Sequence, residues 1–116
     1  MFGKDEVNII MTQRMKKNIS YLKFLQQCSP SERKQLLKVA RPEAVNTICD
    51  CIANVVHGNI PINSAQKSKL KRKVNVLKSL CDPKKKTTSK KKLLVQHGAG
   101  IFSSILGPII KTIAEL

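Results

Sequence analysis

Apolar residues recur at helical spacing along most of this chain. Over residues 6–28, Ile10, Met11, Met15, Ile19, Leu22 and Leu25 fall near one face, with Arg14, Lys16, Lys17 and Lys23 mostly elsewhere. This predicts a first helix that stops at "CSPSER". There Ser29, Pro30 and Glu32 have the spacing of an N-terminal capping box with proline at the first helical position. A second helix follows over 30–40, carrying Leu36, Leu37 and Val39. A third is predicted over 42–57, opened by Pro42 and closed by Gly58, with Val45, Ile48, Cys49, Ile52, Val55 and Val56 on a wide apolar face. After the turn "GNIPIN", Asn63 and Gln66 restart a helix over 64–81, striped by Leu70, Val74, Leu77 and Cys81. The expected fold class is all-α, a small bundle of about four helices.

The pattern changes after Cys81. "DPKKKTTSKKK" holds six lysines and no apolar side chain other than Pro83, which predicts a helix break and a flexible linker. "LLV" restores apolar character, "GAG" at 98–100 reads as a hinge, and residues 101–116 are apolar nearly all round. The expected organisation is a helical domain over 1–82 whose last helix is basic, a lysine-rich linker over 83–92 and a hydrophobic tail over 93–116. A helix apolar on all sides must be buried in something. Sixteen residues span roughly 24 Å, short of the ~30 Å hydrocarbon core, and Gly107-Pro108 should kink them. Interfacial membrane insertion, docking on a protein, or completion of the chain's own core are the three readings. The residues that would carry membrane contact or docking are Ile101, Phe102, Ile105, Leu106, Ile109, Ile110 and Ile113.

Charge sharpens the division. The net charge is +15, and residues 67–92 hold twelve Lys/Arg against one acid, Asp82. Such a block suits a polyanion, nucleic acid before an anionic membrane. The candidate nucleic-acid-binding residues are Lys67, Lys69, Lys71, Arg72, Lys73 and Lys78 on the basic helix. Lys84, Lys85, Lys86, Lys90, Lys91 and Lys92 join them from the linker. Aromatics are confined to Phe2, Tyr21, Phe24 and Phe102, too few to stack single-stranded bases. Double-stranded DNA, held without sequence preference, is the expected partner.

Catalytic chemistry is not expected. The chain has no glycine-rich phosphate loop and no paired carboxylates, and His57 and His97 have no evident acid partner. A Cys51–His57 couple is the nearest approach to a nucleophile and base. Cys49 and Cys51, two residues apart on a helix, diverge and make a poor metal pair. Four cysteines beside an N-terminus unlike a signal peptide suggest free thiols in a reducing compartment. Neither a metal nor a cofactor is expected.

Two stretches, "HGNIPINSAQKSKLKRKVNVLKSL" (57–80) and "KKKLLVQHGAGIFSSILGPII" (90–110), resemble a small protein of Maverick/Polinton elements and adintoviruses. The shared features are a "GN-[IV]-P" turn, a basic helix, a lysine linker and an "LL-x-Q-x-G-G" tail. The tail is also similar to the hydrophobic end of the adenovirus core peptide precursor. The resemblance covers roughly half the chain and departs from the family pattern at Ala99 and Ser103. It implies that Lys67, Lys69, Lys71, Arg72 and Lys73 form the basic helix, with Leu93, Leu94 and Gln96 opening the tail. It also implies a viral maturation protease acting between Ala99 and Gly100, the alternative being a plain hinge.

The leading expectation is a virion-associated minor capsid or core protein, present in the host nucleus or cytoplasm during assembly. Its lysines would neutralise packaged DNA, and its tail would meet a membrane or capsid proteins. The alternatives are a membrane-active cationic module without a DNA role, or a homo-oligomeric helical subunit whose tail is core.

Overall fold

The computed structural model describes residues 9–114, apart from the side chains at 99 and 103. These residues form seven helices and no strand: α1 (Gln13–Lys17), α2 (Ile19–Gln27), α3 (Pro30–Lys38), α4 (Pro42–Val56), α5 (Ser64–Lys71), α6 (Val74–Cys81) and α7 (Thr87–Ala114). The fold is all-α, as the periodicity predicts.

The helix count differs from four for identifiable reasons. The first predicted helix breaks at Asn18 and the fourth at Arg72–Lys73. Asn18 and Lys73 share nearly one backbone conformation, φ/ψ −112/21° and −113/21°. Residues 9–12, expected to be helical, are not. The side-chain amide of Asn54 holds this stretch open: it accepts from the Ile10 N–H (2.8 Å) and donates to the Ile10 carbonyl (3.0 Å). Thr12 then caps α1, its hydroxyl accepting from the Met15 N–H. Residues 6–8 of the predicted first helix lie outside the described residues.

Both capping boxes form. Ser29 and Glu32 bond reciprocally at the start of α3, as do Asn63 and Gln66 at the start of α5. Gly58 ends α4 with a φ of 71°, a left-handed conformation that favours glycine. All six apolar residues predicted for α4's face are buried. On the fourth predicted helix, Leu70 and Leu77 are buried while Val74 and Cys81 are half-buried. The break at 72–73 rotates the stripe, bringing Leu80 inside.

The linker and tail depart most from expectation. Residues 82–86 form a tight turn: the Asp82 carboxylate accepts from the Lys84 N–H (2.9 Å), and its carbonyl from the Lys85 N–H (3.1 Å). Residues 87–92, expected to be flexible, are the first turns of α7, a helix of 28 residues. Lysine is a good helix former, and a helix nucleated by the apolar run behind it propagates cheaply through such residues. The "GAG" segment, expected to be a hinge, lies within α7 as well.

α7 is the central element and packs against α2, α3, α4, α5 and α6. Leu94, Ile101, Phe102, Ile105, Leu106 and Ile109 are buried in the main core, with Ile110 and Ile113 half-buried against it. The seven residues expected to face a membrane or a docking partner therefore lie in or against the protein's own interior. Glu115 and Leu116 of the predicted tail are outside the described residues. The Cα radius of gyration, 12.8 Å, is close to the ~13 Å of one globule of this length, so the basic segment and the tail belong to a single body. No helix among the described residues is long and apolar enough to cross a membrane.

Candidate polyanion-binding surface

Burying the tail leaves the charge outside. Lys69, Lys71, Arg72, Lys78, Lys84, Lys85, Lys86 and Lys92 are exposed, and Lys67, Lys73 and Lys91 are half-buried. Among the described residues the one ion pair is Arg14–Asp50, at 2.9 Å. The guanidinium of Arg14 donates to both carboxylate oxygens and is held above its usual pKa mainly by that hydrogen bond. The twelve basic residues of the 67–92 block form no such pair there.

Helical geometry separates the run Lys90–Lys92, because successive residues are turned about 100° from one another. Lys90 points inward and is 8% exposed. Its charge bears on the thiols of Cys49 and Cys81, so this residue is withdrawn from the surface on which the sequence places it. Lys91 is half-buried, and its Nζ donates to the Ala40 carbonyl just past α3 at 3.0 Å. Lys92 faces solvent.

A basic groove of ≈ 680 Å³ lies between α3 and α7, lined by Lys34, Lys38, Thr88, Lys91, Lys92, Val95 and Gln96. Four lysines surround it and no acid lines it. Lys34 and Lys38 lie outside the block that sequence reading singles out. In sequence they look like ordinary solvated positions of a short helix, and only the packing of α3 on α7 brings them to Lys91 and Lys92. Their one-turn spacing on α3 is the signal available beforehand.

Beyond the groove, Lys92, Gln96 and Gly100 form an exposed strip along α7 at steps of four residues. Lys73, at the α5–α6 break, borders this strip from the other side. Its Nζ lies 3.4 Å from His97 Nδ1, and its Cε is 3.8 Å from where a Cβ on Gly100 would sit. The Ala99–Gly100 bond, expected as a protease site, is mid-helix. Cleavage there would require α7 to unwind, since a protease needs extended backbone.

The structure does not bring Cys51 and His57 to one site. Cys51 is fully buried and its thiol is pushed up to about 12 by burial, while His57 is exposed. His57 instead lines a smaller cavity with Val56, Lys78, Cys81 and Asp82. Burial raises the Cys81 thiol to about 11, the opposite of the depressed pKa that marks an activated nucleophile. Among the described residues, no cluster of His, Cys, Asp and Glu could hold a metal ion. No family, no curated protein and no solved structure matches this chain.

Proposed function

We propose that this protein is a compact helical binder of double-stranded DNA that neutralises phosphates without reading sequence. The observation that supports this is the outward display of the 67–92 block, eleven of whose twelve basic residues reach solvent at least in part, with no acid paired to them among the described residues. Phosphate contacts of this kind give affinity and register but carry no base information. The resemblance to Maverick/Polinton and adintovirus proteins extends the reading to a minor core protein acting on packaged DNA in a virion. With the apolar segment committed to the interior, this version of the function assigns no membrane role to the tail.

The test is fluorescence anisotropy with two unrelated 30-base-pair duplexes across a salt series. Equal affinities are expected for both. A protein making about six phosphate contacts should weaken by roughly a thousandfold between 50 and 200 mM salt. Failure to bind either duplex at 50 mM salt, or affinity indifferent to salt, would remove the proposal.

A further inference from the structure

We propose that the α3–α7 groove seats the sugar–phosphate backbone of duplex DNA, with Lys34 and Lys38 as contact residues from outside the basic block. The proposal rests on the DNA-binding reading above and assigns its principal contact to one place on the protein.

Three features of the groove favour a phosphate backbone. First, four lysines from two helices line one concavity that has no carboxylate in its lining. A projecting phosphate ridge entering there would meet positive charge on both flanks. Lys34 and Lys38 are about 6 Å apart along α3 and form one flank, with Lys91 and Lys92 forming the other.

Second, part of the site is already ordered. The Lys91 ammonium is fixed by the Ala40 carbonyl at 3.0 Å, so less side-chain freedom remains to be lost on binding. Thr88 stands in the first turn of α7. Its hydroxyl is a donor of the kind that phosphate oxygens accept, near the positive end of a 28-residue helix dipole.

Third, exposed positions lead on from the groove. The exposed strip Lys92–Gln96–Gly100 leads from it along α7 to Lys73. Gly100 has no side chain to stand between a strand and the helix backbone. A small anion would need only the pocket, whereas a groove flanked by lysines with exposed positions leading on to Lys73 fits a chain of phosphates.

The experiment compares wild type with K34E/K38E and with K16E/K17E, an equal charge change on exposed residues of α1 that do not line the groove. Affinity for a 30-base-pair duplex is measured by anisotropy across a salt series. K34E/K38E should weaken binding at least tenfold more than K16E/K17E. The milder K34Q/K38Q should lower the salt slope by about two, one for each phosphate that is no longer neutralised. Since Lys34 and Lys38 are exposed, the thermal unfolding midpoint should not move for K34Q/K38Q, which also serves if the glutamate variant folds poorly. Equal losses for K34E/K38E and K16E/K17E, with an unchanged slope for K34Q/K38Q, would overturn the groove while leaving DNA binding intact. Wild type that fails to bind the duplex at 50 mM salt would overturn the DNA reading itself, and the groove proposal with it.

Discussion

The guanidinium carbon of Arg33 lies 5.4 Å from the centroid of the Phe102 ring. From that position Arg33 also donates to the carbonyls of Leu25 (2.8 Å), Gln26 (3.4 Å) and Cys28 (2.9 Å). A single arginine on α3 thus satisfies the carbonyl end of α2 and covers an aromatic ring of α7. It is 8% exposed, so its hydrogen bonds have little competing water. Removing it leaves carbonyls unpaired and a void over the ring.

Arg33→Ala should therefore destabilise the fold by about 3 kcal/mol, combining lost charge-assisted hydrogen bonds with a cavity. Arg33→Lys should recover less than half of that, because an ammonium lacks the planar fork that reaches several carbonyls and stacks on a ring. Urea unfolding followed by far-UV circular dichroism measures both. A Lys variant as stable as wild type would show that only the charge matters.

Two glycines two residues apart on α7 should respond oppositely to alanine. A Cβ on Gly98 would sit 2.7 Å from Phe102 Cε2 and 3.4 Å from Leu37 Cδ1. The ring is pinned under Arg33 and cannot yield cheaply, so overpacking of about 1–3 kcal/mol outweighs the ~1 kcal/mol gain in helix propensity. A Cβ on Gly100 would meet only Lys73 Cε, at 3.8 Å. Gly98→Ala should lower the unfolding midpoint and Gly100→Ala should raise it, the latter by up to ~1 kcal/mol.

The buried thiols predict a loss of stability at alkaline pH. Burial pushes Cys49 and Cys51 up to about 12 from an ordinary value of 9.0, and the charge of Lys90 only partly opposes the rise at Cys49. Above pH 9 the unfolded chain releases these protons while the folded chain keeps them. Their contribution is therefore complete below about pH 9 and is lost as pH climbs toward 12. Unfolding free energy should fall across that window, and less steeply in a Cys49→Ala, Cys51→Ala variant. For the same reason both thiols should resist Ellman's reagent at pH 8 until urea is added.

What the sequence announces in this protein is chemistry with a local cause. The capping boxes at Ser29/Glu32 and Asn63/Gln66, the stop at Gly58 and the apolar face of α4 follow from neighbouring residues alone. The breaks at Asn18 and Lys73 carry no proline or glycine, and they appear only once packing rotates one apolar stripe against another. Residues 87–92 look solvated because they lack apolar periodicity, yet they open a helix whose burial begins at Lys90 and Leu94. Gly98 reads as a hinge because its reason, the Phe102 ring, is a tertiary neighbour. The candidate site divides the same way. Lys92 and the surface of the basic block are legible as charge density, whereas Lys34 and Lys38 join the groove through the contact of α3 with α7.

The buried tail gives the most decisive test of the architecture. Ile101, Phe102, Ile105, Leu106 and Ile109 each have 2% exposure or less. Burying such a side chain contributes about 1.5–3 kcal/mol, so these five together rival the ~5–15 kcal/mol stability of a whole domain. A chain ending at Ala99 should have no cooperative unfolding transition by circular dichroism, and its amide resonances should collapse toward random-coil positions. The full chain, mixed with neutral liposomes at moderate salt, should stay in the dense fraction on flotation. Neutral lipid gives the lysines nothing to bind, and the apolar residues are already covered. If the full chain floated while remaining helical, α7 would have to leave the core for the bilayer. The chain ending at Ala99 would then be expected to keep a folded remainder, so the two measurements must agree.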